Sequence, residues 1–520
     1  MPAPNQKLAE SLSALQALQE SGRRVFRSKE LSRTHRERLL QNGFLLEVMK
    51  GWLIAASPTA QQGDSTPWYA SFWEFCARYC NDRFGDAWHL SAEQSLLLHS
   101  ENTVTPTQVI ISSPGGTNNI VPLLFNTSLY DLKQPLMPPP ADVIVRDGLR
   151  VFSPAAALVK VPQAFFTRRP IDTQVVLASI RDATEVLRRL LDGGHSVIAG
   201  RLAGAFRRIG RPALADEIVA TMRAASYNVR ETDPFAPLQT FGSPRETTTP
   251  IVGRLHATWE AMREAVIKTF PEPPGLPEDK DAYLRFVDEI YKTDAYHSLS
   301  IEGYRVTPEI IERVRAGGWY ADHLDRDRQD RDALAARGYW QAFQVVKATV
   351  ADVLSGANPG TLFRTAHRDW YRELFQPCVT AGLIPASGLA GYRNDAVYLR
   401  TSRYVPPRWE AVRDAMPALI DLLEREPEPA VRAVLGHWLL GYIHPYSDGN
   451  GRMARFLMNI MLASGGYPWT VIRVEDREAY LKALDRASLD ADIAQFTDFV
   501  GERVHWSLEL SASAKHKPRS

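Results

Sequence analysis

Two apolar helical patterns on either side of a short polar loop constrain the C-terminal half of this chain more than any other feature of its 520 residues. Upstream of the loop, apolar residues recur with the three- and four-residue spacing of one helix face, at Val431, Val434, Leu435, Trp438 and Leu439. The same spacing recurs downstream, at Met453, Phe456, Leu457, Ile460 and Met461. The pattern predicts two buried helices that hold the loop rigidly between them.

The loop and the first turn of the second helix read HPYSDGNGRMAR over residues 444–455, a combination suited to binding phosphates. The backbone of Gly449, Asn450 and Gly451 can turn successive N–H groups inward where a helix begins and its dipole is positive. Two arginines then supply planar, permanently charged donors for phosphate oxygens. These arginines and one asparagine lie on the helix face opposite the apolar residues, so we expect all three to point toward the bound ligand: Arg452, Arg455 and Asn459.

Asp448 and His444 add the two groups that phosphate chemistry needs beside such a loop. Mg²⁺ is normally held by one or two carboxylates plus phosphate oxygens, so Asp448 is a candidate metal ligand. His444 can accept a proton near neutral pH, which suits a general base acting on an attacking hydroxyl. Taken singly, a histidine is usually structural and Asp-Gly-Asn-Gly is usually a turn, but their combination between two helices indicates an active site.

With these residues the chain resembles the Fic family, whose motif HPFx(D/E)GN(G/K)RxxR is matched except for Tyr446 in place of Phe. The resemblance extends over residues 251–505 and implies an all-α core. It implies His444 as base, Asp448 as Mg²⁺ ligand, residues 449–451 as the cradle of the α- and β-phosphates of ATP, and Arg452 and Arg455 as partners of the outer phosphates. Gly rather than Lys at 451 resembles the adenylylating branch rather than the kinase-like Doc branch.

Two further segments resemble parts of self-restrained Fic proteins. Residues 391–407, including Val397, Tyr398 and Leu399, are similar to the flap, a hairpin that pairs with an extended target segment through main-chain hydrogen bonds; an ordinary surface hairpin is the alternative. The inhibitory helix near residues 291–303 is represented by Ser298, Glu302 and Gly303, with Ser298 and Glu302 one helical turn apart. The alternative there is a solvated glutamate before a C-terminal glycine.

The first 60 residues show the order of a winged helix-turn-helix. Helices are predicted over residues 8–20 and 33–42, the second closed by Gly43, with a short strand at 24–26 and a helix led by Ser28 between them; strands follow at 44–48 and 51–55. Basic residues crowd this segment: Arg23, Arg24, Arg27, Lys29, Arg33, His35, Arg36 and Arg38. They indicate either contact with duplex DNA or a solvated charged face, since Glu30 and Glu37 dilute the patch.

Residues 61–235 mix strand-like runs, at 108–112 and 143–145, with helical runs at 173–192 and 201–208. Together with the preceding segment they resemble the AbiEi antitoxin family of DNA-binding repressors, on the run DGLRVFSPAAAL at 147–158. The resemblance implies an α+β region that binds DNA. A linker follows at 236–250, and residues 506–520 are predicted to be a C-terminal tail.

The amino-acid composition limits the partners and the cellular compartment that we expect for the chain. The 61 Lys and Arg residues nearly cancel the 60 Asp and Glu residues, so attraction to nucleic acid must come from a local patch. The three cysteines include Cys76 and Cys80, whose spacing suits one helix face better than a metal site; we expect a reduced, cytoplasmic compartment. No apolar run approaches the roughly 20 residues that a membrane span needs.

The resemblance implies a protein adenylyltransferase of several domains that transfers AMP from Mg-ATP to Ser, Thr or Tyr hydroxyls of a protein, its own included, restrained by Glu302. One alternative is removal of AMP with Glu302 orienting water. Another is a DNA-binding repressor whose Fic half senses nucleotide, although a sensor would not need His444 as a base.

Residues 1–60 are therefore expected to bind duplex DNA with an affinity that falls steeply as salt rises, because Lys and Arg displace counterions from phosphates. Replacing Arg33, Arg36 and Arg38 should weaken binding without changing transfer activity. Fluorescence anisotropy with labelled duplex measures this, and absence of binding at low salt would refute it.

Overall fold

The computed structural model describes residues 4–58, 63–236, 249–317 and 331–515. The chain forms two compact units: Met1–Pro250 with Tyr398–Val405, and Ile251–Val397 with Pro406–Ser520. Most of the predicted linker at 236–250 lies outside the described residues. No helix in the described ranges is both long and apolar enough to cross a membrane.

The first unit begins with two helices and a small sheet. The elements are α1 (Pro4–Gln19), β1 (Val25–Arg27), α2 (Arg33–Gln41), β2 (Leu45–Met49) and β3 (Trp52–Ala55), with antiparallel strand order β1-β3-β2. The predicted helices and strands are confirmed to within a few residues, except that the helix led by Ser28 is a single 3-10 turn. Phe26, Leu39 and Leu53 are buried in one core between these elements. The winged-helix assignment itself stays a prediction.

The basic residues of α2 take part in different contacts. Arg38 donates to the carbonyl of Lys7 at 2.6 Å and to Ser11 Oγ at 2.8 Å, and Arg36 donates to the carbonyl of Ser28 at 3.2 Å. These two side chains therefore hold the segment together. Arg33 is 82% exposed and pairs with Glu37. DNA contact by this helix stays a prediction, with Arg33 the most accessible of the three arginines.

A mixed sheet and a hairpin follow in the first unit. The sheet has strand order β4-β5-β7-β6, and the hairpin pairs β8 with β9. Their bounds are β4 (His89–Leu90), β5 (Gln108–Ser113), β6 (Asn119–Pro122), β7 (Ser128–Lys133), β8 (Val143–Arg146) and β9 (Leu149–Phe152). The strands predicted at 108–112 and 143–145 are confirmed.

Helices make up the rest of the first unit. They are α3 (Thr66–Phe84), α4 (Ala92–His99), α5 (Pro154–Lys160), α6 (Gln163–Arg168), α7 (Pro170–Ser179), α8 (Thr184–Asp192), α9 (Ser196–Arg208) and α10 (Pro212–Ala224). Both Cys76 and Cys80 are free and buried on α3. The single helix predicted over 173–192 is wrong, because the chain becomes extended at Ile180 and Asp182 Oδ1 accepts from the Thr184 N–H at 2.7 Å to start a new helix.

The second unit is helical in all its described regular elements. Its helices are α11 (Pro250–Thr269), α12 (Lys280–Ile301), α13 (Pro308–Arg315), α14 (Arg331–Leu354), α15 (Pro359–Thr380), α16 (Trp409–Arg425), α17 (Pro429–Ile443), α18 (Asn450–Ala463), α19 (Arg477–Asp490) and α20 (Ala494–Lys515). The predicted pair of buried helices is confirmed as α17 and α18, whose apolar residues are fully buried. The helix α20 extends through the first ten residues of the predicted tail, to Lys515.

Candidate active site

The turn that begins the loop is set by His444. This residue follows α17 in the left-handed conformation, with φ 51° and ψ 59°, and its N–H donates to the carbonyl of Leu440 at 2.9 Å. Its ring Nδ1 lies 3.2 Å from the carbonyl oxygen of Gly441. A carbonyl can only accept, so Nδ1 carries the proton in this contact and Nε2 keeps its lone pair.

The surroundings keep the His444 ring neutral. Burial is the main reason that the pKa of His444 is lowered to about 4; the nearby Arg393 cation acts in the same direction, and the Gly441 carbonyl, Glu302 and Asp448 oppose it. Because the ring is neutral well below pH 7, it can accept a proton at physiological pH.

Asn450 closes the loop on itself. Its side-chain oxygen accepts from the Tyr446 N–H at 2.9 Å, and its amide nitrogen donates to the Tyr446 carbonyl at 2.8 Å. The side chain is 3% exposed, so its amide is used to shape the loop. A phosphate cradle would therefore depend on the backbone N–H groups in the first turn of α18, which have no partner within the helix. Gly449, at φ 83°, caps that turn, and a Cβ there would lie 2.7 Å from Phe375.

Arg452 is a buried cation with free donors. Its side chain is 1% exposed, and neither Nε nor Nη2 has a hydrogen-bond partner among the described residues. The guanidinium lies over the rings of Phe375 and Tyr304, at 4.9 and 5.3 Å. Asp448 Oδ2 is 3.5 Å from Nη2, but the Asp448 side chain is 56% exposed and its Oδ1 accepts from the Gly449 N–H at 2.6 Å.

Arg455 is bound to the end of α12. Its Nε donates to Ser298 Oγ at 2.8 Å, and its Nη2 donates to the Ser298 carbonyl at 3.0 Å and to Glu302 Oε1 at 2.7 Å. Glu302 caps α12, and Gly303 follows at φ 89°. The predicted inhibitory residues Ser298 and Glu302 thus face one partner, an arginine of the motif.

Charge stabilises the ionised form of Glu302. Burial raises the pKa of this carboxyl, but the cations of Arg455 and Arg452 outweigh burial and hold the pKa below its usual value. The approach is so close that a Cβ at Gly451 would lie 2.2 Å from Glu302 Oε1. Glycine at 451 is therefore required by this arrangement of the glutamate.

The prediction that Asn459 points toward the ligand of the loop is wrong. Its amide nitrogen donates to the carbonyls of Arg455 and Thr470, at 3.2 and 3.1 Å, and its oxygen accepts from the Thr470 N–H at 2.7 Å. Asn459 therefore ties α18 to the segment that follows it.

Residues 391–407 contain no strand, so the hairpin ladder predicted there is absent, and the flap role of Val397, Tyr398 and Leu399 stays a prediction. The sequence here alternates only imperfectly, and the segment is held by side chains instead of a ladder. Val397 ends one part of the second unit, whereas Tyr398 and Leu399 belong to the first unit, where Arg24 Nη1 donates to Tyr398 Oη at 3.0 Å.

Sequence reasoning missed three residues that shape the site. Phe375 and Tyr304 contact Arg452, and Arg393 contacts the carbonyl of His444. Phe375 and Tyr304 lie far from the motif along the chain, and no local pattern marked them. Arg393 stood inside the flap-like segment, but nothing in the sequence indicated that it contacts the catalytic loop.

Parts of the chain are similar in sequence to known proteins. Residues 361–462 match the Fic/DOC family, so the C-terminal half contains a Fic domain. The chain is 43% identical to "Protein adenylyltransferase Fic" of Nematostella vectensis over 113 residues, 21% of this chain and 26% of that protein. It is 39% identical to the protein of the same name from Culex quinquefasciatus over 263 residues, 48% of this chain and 46% of that protein.

Among solved structures, the chain is similar to a fragment of Fic-1 from C. elegans, with a TM-score of 0.38 and 16% identity, covering 70% of this chain and 91% of that one. The chain spans less than half the length of the curated relatives described above. Those relatives are named as protein adenylyltransferases, which are nucleotidyltransferases.

Tyr446, which replaces the family's Phe, packs without using its hydroxyl. Its ring stacks on Tyr371 at 4.0 Å and is fully buried, and its Oη has no partner among the described residues. Tyr467 is equally buried, but its hydroxyl donates to the carbonyl of Pro271.

Replacing Tyr446 by Phe is expected to leave the free energy of unfolding unchanged or increased, because it removes a buried hydroxyl without a partner. The matched change Tyr467→Phe should lower it by about 1 kcal/mol, through loss of one hydrogen bond and an orphaned carbonyl. Urea unfolding measures both, and an equal loss in the two variants would contradict the difference.

Proposed function

We propose that the chain is a protein adenylyltransferase that transfers AMP from ATP to a Ser, Thr or Tyr hydroxyl of a protein. The observation that carries the proposal is Arg452, a buried guanidinium in the first turn of α18 with two donors that make no hydrogen bond among the described residues and with an exposed carboxylate, Asp448, only at 3.5 Å. A buried cation is costly unless an anion compensates it, and triphosphate oxygens would do so.

His444 would act as the base. The hydroxyl oxygen of the target attacks the α-phosphorus while the hydroxyl proton passes to Nε2 of His444. A new oxygen–phosphorus bond forms, and the bond from the α-phosphorus to the bridging oxygen breaks, so pyrophosphate leaves. The low pKa of His444, about 4, keeps the accepting nitrogen free at neutral pH.

Asp448 would hold Mg²⁺. Its carboxylate is more than half exposed and lies next to the cradle, which fits an ion bound through one carboxylate and phosphate oxygens. When bound, the ion would neutralise charge on the phosphates. Asp448 Oδ1 already accepts the Gly449 N–H, which fixes the direction of the carboxylate.

Glu302 would restrain this activity. Arg455 gives its Nη2 to Glu302 and Ser298, so this donor is unavailable to the γ-phosphate. ATP could still bind through Arg452 and the backbone, but its α-phosphate would not be aligned for attack.

His444→Ala is expected to lower transfer by about 100- to 10,000-fold, because a general base contributes that much. The Kd for ATP should be unchanged, since His444 does not hold the phosphates. Asp448→Ala is the companion variant and should weaken Mg²⁺-dependent ATP binding and transfer together. Intact-mass detection of AMP on the protein, pyrophosphate release and calorimetry measure these effects, and normal transfer by His444→Ala would refute the assignment.

Glu302→Gly is expected to raise the initial rate by about 10- to 100-fold, since a charge-assisted contact contributes about 1.5–3 kcal/mol. Glu302→Gly/Arg455→Ala should lose that gain, because the freed donor is then absent. Glu289→Gly, an exposed change on the same helix, is the matched control and should not activate.

A double-mutant cycle on pyrophosphate release gives the coupling between the two residues. If Glu302→Gly is no faster than the wild type, or remains faster without Arg455, then the glutamate does not act by binding that arginine.

A further inference from the structure

Arg393 is a buried arginine whose guanidinium donates to several backbone carbonyls. The residue is 2% exposed. Nε donates to the carbonyl of His444 at 2.8 Å, Nη1 to that of Asp395 at 2.8 Å, and Nη2 to that of Pro407, with Ile443 at 3.4 Å.

The backbone of Arg393 adds a second attachment to the same loop. Its N–H donates to the carbonyl of Pro445 at 2.9 Å. The carbonyls of residues 443, 444 and 445 therefore all face Arg393. They lie at the carboxyl end of α17, where carbonyls lack partners within the helix and the dipole favours a positive charge.

His444 needs such support because its backbone is in the left-handed region. For a residue other than glycine this conformation is unfavourable by about 1–2 kcal/mol, so the surrounding contacts must hold it. The conformation turns the chain out of α17 and sets the direction of the imidazole, whose Nδ1 contacts Gly441. A hydrogen bond to the His444 carbonyl fixes the peptide plane on which that direction depends.

We infer that Arg393 is a positioning residue for the base His444, holding its carbonyl so that Nε2 stays directed toward the incoming hydroxyl. The inference rests on the proposed function. Besides geometry, Arg393 contributes charge: it opposes protonation of His444, whereas Glu302 and Asp448, the other charged groups facing the ring, favour it.

The variants Arg393→Lys and Arg393→Met separate the geometric and the electrostatic contributions. Both are tested in the Glu302→Gly background at saturating ATP. Arg393→Met removes donors and charge, so kcat for pyrophosphate release should fall by about 10- to 100-fold, as misplaced catalytic groups do. The KM for ATP should change little. Since the base must be neutral and its pKa rises without the cation, the acidic limb of the kcat profile should move to higher pH.

Arg393→Lys keeps the charge, but its single ammonium group lacks the rigid fork of donors with which the guanidinium reaches three carbonyls. It should lower kcat while leaving the acidic limb nearer its original pH. Arg413→Met is the matched control, because Arg413 donates to Oδ1 of Asn394, the residue after Arg393, and to the carbonyl of Trp409, both outside the loop at 444–455. It should retain both kcat and the pH profile.

An inactive Glu302→Gly parent would refute the proposed function rather than this inference. With an active parent, Arg393→Met that keeps its kcat and pH profile would overturn the positioning role. If thermal unfolding shows that Arg393→Met is not folded, the test uses Arg393→Lys instead. An unchanged kcat in Arg393→Lys overturns the inference, and a reduced kcat with an unchanged KM for ATP supports it.

Discussion

Two buried arginines on one helix contact carboxylates at different distances, and the arrangement of the site depends on that difference. Arg455 donates to Glu302 at the end of α12 at 2.7 Å, whereas Arg452 lies over two aromatic rings and has Asp448 at 3.5 Å. Burying a guanidinium is unfavourable unless an anion compensates it, so the close contact fastens α12 to the motif. The longer contact leaves Nε and Nη2 of Arg452 without a hydrogen-bond partner among the described residues.

The core of this site could be predicted from sequence because its parts are local. The helices flanking the loop follow from apolar spacing, and Ser298 and Glu302 are indicated by resemblance to the inhibitory helix, supported by their one-turn spacing. The residues that complete the site could not be predicted, because their contacts join distant segments. Phe375 and Arg393 become neighbours of the motif only after the helices pack, and Asn459 turns out to bind Thr470 rather than the loop.

The fold departs from the sequence patterns in two places. The pattern over 173–192 is helical, but the chain is extended at Ile180, and Asp182 accepts the Thr184 N–H where a new helix begins. The segment at 391–407 has strand-forming residues but no strand, and Arg393 near its start donates to the carbonyls of His444 and Pro407. In both places polar side chains bond to the backbone where the pattern predicts a continuous regular element.

The eight residues Tyr398–Val405 belong to the first unit although residues on both sides of them belong to the second. Tyr404 is 1% exposed, Val405 packs against the core of α3 and the mixed sheet, and Arg403 exchanges hydrogen bonds with the backbone of Thr105. The boundary at residue 250 is therefore not a place where the chain can be cut without loss. A fragment beginning there would expose Tyr404 and Val405, whose surroundings belong to the first unit, so its surface would carry apolar groups that the intact chain buries.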